Sequence, residues 1–97
     1  MKTVIFHREA EIEAAQAAVF YGEQQELLGS RFVVAIEEGL SRIRLNPFMF
    51  PVAEDDVSRC LIRSFPFAIL FRVIDERIVI VAVMHLRRNP GYWKERN

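Results

Sequence analysis

The spacing of apolar residues changes along this chain, and each change marks an element. Thr3 to His7 (TVIFH) is β-branched and aromatic, with no Gly or Pro, which predicts a short first strand. From Arg8 the segment EAEIEAAQAAVFYGEQQ is rich in Ala, Glu and Gln, all good helix formers. Ile12, Ala15 and Val19 recur at i, i+3, i+7 with Ala18 beside them, so this stripe is expected to face the core. Gly22 and Gly29 read as bracketing the end of that helix and the turn after it. A second helix is predicted from Leu27 or Ser30 to Leu45. Val33, Ile36, Leu40 and Ile43 form its apolar stripe, widened by Phe32 and Ala35. Glu37, Glu38, Ser41 and Arg42 form its wet face, with Glu38 and Arg42 an i, i+4 ion pair. Gly39 in mid-helix costs about 1 kcal/mol against Ala, which a close helix–helix or helix–sheet approach would explain. Asn46-Pro47 stops the helix, because proline disfavours the α conformation in the residue before it.

After the helices, NPFMFPVAEDD reads as an ordered loop. Phe48, Met49 and Phe50 are too apolar for water and are expected to cover an end of the core, while Glu54, Asp55 and Asp56 form a solvated turn. Three strands follow, Arg59 to Ser64, Phe67 to Ile74 and Arg77 to Leu86, the last two joined by a tight Asp75-Glu76 hairpin. The last strand is apolar on both faces and should be central, with the first strand beside it. The tail opens on a Pro-Gly turn and ends in a helical turn. The expected fold is α+β in two layers: a helical hairpin packed on a mainly antiparallel four-stranded sheet, β-α-α-β-β-β, strand order 1-4-3-2.

The 97 residues allow a single domain, 1–97. Val, Ile, Leu and Phe supply 34 of them, which excludes intrinsic disorder. The lone Cys60 permits no internal disulfide, which suits a reducing cytoplasm. The longest apolar run, Ile78 to Met84, is far too short for a membrane span, and MKTVIFHREAE turns acidic too early for a signal peptide. The formal charge is zero, yet residues 1–58 carry net −5 and residues 59–97 net +5. The basic half suits an anionic partner, unless the two halves neutralise each other on folding.

His7, Cys60 and His85 lack metal-ligand spacing, no phosphate-cradling Gly loop exists, and no serine has a nucleophile-elbow context. One constellation remains. His85, Arg87 and Arg88 end the central strand, Tyr92, Trp93, Lys94 and Arg96 follow, and Arg59, Arg63 and Arg72 lie on neighbouring strands. An imidazole, a phenol and several guanidiniums suit RNA cleavage, with an acid–base pair and charge stabilisation at the phosphate. They suit equally a binding surface for an acidic peptide or a nucleic-acid backbone. They also suit a structural role in which His85 bonds locally and Tyr92-Trp93 pin the tail. Strand alternation puts His85 and Arg87 on one face and Arg88 on the other.

With these elements in order, the chain resembles toxins of the RelE/ParE superfamily, small cytoplasmic toxins of type II toxin–antitoxin systems. The likeness rests on FYGEQQELLGSRFVVAIEEGLSRIRLNPFMFP, on RSFPFAILFRV and on the closing HLRRNPGYWKER, and so covers nearly the whole chain. It implies the fold above, no cofactor and no membrane. The implied partner is a cognate antitoxin, with assembly as a homodimer or a toxin–antitoxin heterotetramer. RelE-like members cleave mRNA on the ribosome, whereas ParE-like members inhibit DNA gyrase. RelE-like nucleases carry an arginine early in the third strand where this chain has Ala68, and its lysines are only Lys2 and Lys94. The departures favour a ParE-like inhibitor of gyrase, with the ribosome-dependent endoribonuclease as the alternative. For a nuclease the catalytic candidates are His85, Arg88, Tyr92 and Arg63. For a binder the target- or antitoxin-contacting set is Arg63, Arg72, His85, Arg87, Arg88, Tyr92 and Trp93.

Overall fold

The computed structural model describes residues 2–96. The order is β1 (Thr3–Phe6), α1 (Arg8–Gln24), α2 (Glu26–Leu45), a 3-10 turn (Pro47–Met49), β2 (Val52–Glu54), β3 (Val57–Leu61), β4 (Phe67–Ile74) and β5 (Arg77–His85). The sheet has five strands, not four, in the order β1-β5-β4-β3-β2. The added strand β2 lies inside the expected loop and pairs with β3 (Val52 opposite Ser58). Three residues are too few to show an alternating pattern, so only its partner reveals it. β3 starts and ends earlier than expected, since Val57 is buried and Ser64 turns the chain at φ 71°. β1 runs parallel to β5, as the helical crossover requires, and every other pairing is antiparallel.

The first helix buries a different face from the expected stripe. Ala10 and Ala17 are buried, with Ala14, Ala18 and Tyr21 packed beside them, whereas Ile12 and Val19 are 37% and 61% exposed. The reason is distance. A Cβ on Gly29 of α2 would lie 2.8 Å from the Ala18 carbonyl oxygen and 3.1 Å from Gly22 Cα, so the helices cross almost backbone to backbone. Only small residues fit such a crossing. Gly22 and Gly29 therefore lie within the two helices, and the break between helices falls at the extended Gln25. His7 is not part of the strand. It caps α1, its Nδ1 accepting from the Glu9 backbone N–H at 3.0 Å.

The second helix buries Phe32, Ile36 and Ile43 with Gly39, leaving Leu40 half-buried and Val33 44% exposed. Gly39 marks the close helix–sheet approach expected of it: a Cβ there would meet Ile69 Cδ1 at 2.9 Å. Glu38 and Arg42 form their ion pair at 2.7 Å, and the helix ends at Leu45, before Asn46-Pro47. Phe48 and Met49 do not cover the core. They are 74% and 59% exposed, and only Phe50 turns inward, against Phe71.

The sheet is buried on both faces. Toward the helices, Tyr21 and Phe32 each pack edge-on against Phe65 and Phe67. On the outer face Val57, Ala68, Leu70, Val81 and Ala82 are closed over by Trp93 of the tail. Strand β5 carries a bulge: its register against β4 steps from Leu70–Ala82 to Phe71–Ile80, leaving Val81 unopposed. Val81 and Ala82 both join the outer cluster, so side-chain alternation is re-phased before His85.

Candidate functional site

Strand β1 pairs only with Arg77 to Ile80, so the second half of the β5 edge has no strand beside it. Two side chains occupy that gap. Glu13, on α1, accepts from the Val83 N–H at 3.0 Å. Arg96, on the tail, donates to the Val81 carbonyl at 3.1 Å. The two groups form a bidentate pair, with Nη1 to Oε1 at 2.8 Å and Nη2 to Oε2 at 3.0 Å. The Tyr92 hydroxyl donates to the same carboxylate at 2.6 Å, and Arg88 Nη1 lies 3.8 Å away. The guanidinium of Arg88 stacks 4.0 Å over the Tyr92 ring, and that of Arg96 sits 5.0 Å from it. Glu13 and Arg96 keep only 12% and 14% of their side-chain surface exposed.

These contacts set the electrostatics. Burial, then the bond to Glu13, push the Tyr92 phenol above its ordinary range, with Arg96 and Arg88 pulling weakly the other way. The Arg96 guanidinium is held charged chiefly by its bond to Glu13. Tyr92 is thus a neutral donor and not a base at physiological pH.

The remaining sequence-selected residues do not converge. His85 lies edge-on to Phe67, ring centroids 5.1 Å apart, and its Nδ1 accepts from the Arg87 N–H at 3.0 Å. His85 and Arg88 line one shallow groove with Glu13, Gln16 and Phe20 of α1. The expected placement of Arg88 on the face opposite His85 holds only in part: the chain leaves the strand at His85 and turns, so Arg88 borders this groove as well as a cleft on the outer sheet face. Arg87 is exposed. Arg72 lies 3.4 Å from Asp56, and Arg63 lies 3.9 Å from Glu38 on α2. Trp93 is 4% exposed and touches the sheet, not solvent. Ala68 is fully buried under it.

Sequence reasoning missed Glu13, the residue that gathers the site. Glu9, Glu11 and Glu13 look alike in a polar helical run. Only the incomplete cover of β5 singles one out. On the outer sheet face, Arg59 and Arg88 line a second cleft of about 230 Å³ beside Pro90, Gly91 and Trp93. Among the described residues no group of three His, Cys, Asp or Glu could hold a metal, and no helix is long and apolar enough to cross a membrane.

Set beside known proteins, the chain matches the family model described as "ParE toxin of type II toxin-antitoxin system, parDE" over residues 4–90. Among solved structures it is similar to a chain of "Chromosomal ParDE TA system from P. aeruginosa". The TM-score is 0.77 at 18% identity, over 88% of this chain and 96% of that one. At that identity the likeness is one of fold. No curated protein matches the chain.

Proposed function

The chain belongs to the ParE toxin family of type II toxin–antitoxin systems, and from that premise we propose that it arrests growth by binding DNA gyrase, with a cognate antitoxin holding it inactive. Such a toxin acts in the cytoplasm, where gyrase works. In this reading His85, Arg87 and Arg88 supply the polar contacts to the target. Tyr92, Trp93 and Arg96 hold the tail that presents them.

The observation that carries the reading is the commitment of the tail to Glu13. Phosphodiester cleavage requires an acid–base pair and charge stabilisation at one centre. Here the Tyr92 hydroxyl is donated to Glu13, and Arg96 is neutralised by it. The position expected to carry a phosphate-contacting arginine is the buried Ala68. Beside the tail, the exposed Arg87 and the outward half of Arg88 suit attraction to an acidic protein surface.

The cleft lined by Arg59 and Arg88 favours the second reading, a ribosome-dependent endoribonuclease. One experiment separates them. The chain and its Arg87→Ala/Arg88→Ala variant are assayed side by side for inhibition of gyrase supercoiling and for translation-dependent mRNA cleavage. Inhibition of supercoiling that the variant loses supports the gyrase reading. Translation-dependent cuts that the variant loses overturn it and establish the nuclease.

A further inference from the structure

A groove of about 400 Å³ lies between α2 and the loop joining β3 to β4. Its floor is apolar: Leu28, Val34 and Ala35 from the helix and Phe65 from the loop. Val34 is 62% exposed there, which is costly for a surface that stays in water. Arg31 and Arg63 stand at its rim, and both are exposed. Arg31 makes no ion pair among the described residues. Arg63 has one carboxylate neighbour, Glu38 Oε1 at 3.9 Å, too long for a hydrogen bond.

The other oxygen of Glu38 is taken by Arg42 at 2.7 Å, and Arg42 also donates to the Leu61 carbonyl at 2.9 Å. Glu38 also lines the groove, but its charge is paired with Arg42, so Arg31 and Arg63 leave the rim a positive surplus. Ser64, beside Arg63, holds a left-handed φ of 71°, a conformation that a non-glycine residue adopts at a cost.

We propose that this groove seats a segment of the cognate antitoxin in which apolar side chains are followed by carboxylates, the apolar groups resting on Val34 and Phe65 and the carboxylates pairing with Arg31 and Arg63. The inference rests on the antitoxin partnership and adds where it docks and by what chemistry. Two guanidiniums over an apolar floor fit an acidic amphipathic peptide. A nucleic-acid backbone calls for a longer cationic track and gains little from Val34 and Phe65. Pairing over an apolar floor also removes water from the ion pairs and so strengthens them.

The test measures affinity of the full chain for the product of the adjacent gene, by calorimetric titration at low and moderate salt. The variants are Arg31→Glu, Arg63→Glu, their combination, and Val34→Asp. Arg44→Glu, an exposed site elsewhere on α2, controls for the charge change alone. All these positions are solvent-exposed, and thermal unfolding checks that each variant folds. Each rim reversal should weaken binding about tenfold or more, and the combination further, with most of the salt dependence lost. Val34→Asp should weaken it comparably, and Arg44→Glu should leave it within about twofold. Wild-type binding that persists unchanged in the rim variants, or an equal loss in Arg44→Glu, overturns the groove while leaving the antitoxin partnership intact. No binding by the wild type overturns that partnership and this inference together. Unchanged antitoxin affinity with loss of gyrase inhibition gives the groove to the target instead and equally overturns the proposal.

Discussion

Glu13 and Glu38 are both glutamates on helices, both paired with an arginine below 3 Å, and they should differ widely in what they contribute. Glu13 keeps 12% of its side-chain surface exposed and serves Arg96, Tyr92 and the Val83 N–H at once. Its removal leaves a largely buried guanidinium without its partner, a loss of about 3–5 kcal/mol. Glu38 is 35% exposed and hydrogen-bonds, among the described residues, only its i, i+4 partner Arg42, so its removal costs about 0.5 kcal/mol. Urea titration of Glu13→Ala and Glu38→Ala checks the contrast, and equal midpoints would refute it. Tyr92 gives a pH dependence. Its folded phenol titrates above its unfolded one, so its contribution is present below about pH 10 and is lost as pH rises beyond. Burial raises the Cys60 thiol too, so the decline begins from about pH 8.5. Midpoints measured across that range should fall, and Tyr92→Phe should remove the upper part of the fall.

At the scale of elements, packing distance decides which residues a helix buries. Gly29→Ala forces a Cβ to 2.8 Å from a backbone oxygen, which the α1–α2 crossing cannot absorb, and should cost about 1–3 kcal/mol. Gly39→Ala meets side-chain atoms alone, the tip of Ile69 at 2.9 Å and Ile62 Cγ2 at 3.3 Å, whose shift offsets about 1 kcal/mol gained in helix propensity. The second variant should therefore unfold close to wild type, and the first clearly earlier. Truncations follow the same geometry. Ile36→Ala, at 6% exposure, should cost about 2–5 kcal/mol. Val19→Ala, on the outward side of α1, should change stability by less than about 0.5 kcal/mol. Chemical denaturation of the pair would show whether the observed face or the sequence stripe carries the core.

Across the whole molecule, the acidic first half and the basic second half meet in the fold. Glu13 with Arg96 and Arg88, Glu54 with Lys94, and Asp56 with Arg72 all join the two halves. Much of the charge asymmetry thus holds the tail and the β2–β3 turn in place. The single tryptophan reports on that tail, since Trp93 is 4% exposed against the outer sheet face. Its emission should be blue-shifted in the wild type. In Glu13→Ala it should move red at lower urea than the helix signal is lost, because the tail loses its anchor first. Coincident transitions in that variant would show the tail to be held by Trp93 packing alone.

Apolar period and helix-breaking residues by themselves determined the strand–helix–helix–strands order, the two helices, the stop at Asn46-Pro47, the β4–β5 hairpin and the central place of the last strand. These features rest on neighbours in sequence, where local sterics and the period of burial act directly. The same signals drew the resemblance to the RelE/ParE superfamily. They could not place contacts between distant segments. The face of α1 depends on how closely α2 approaches, and the short β2 on a partner strand. The Val81 bulge depends on the register with β4, and with it the direction of His85. Glu13 acquires its role only because β1 is too short to cover β5, so that an edge some 70 residues later in the chain offers it an N–H to accept. Hydropathy records how much a residue gains by leaving water, whereas the space it leaves water for is made by the rest of the chain.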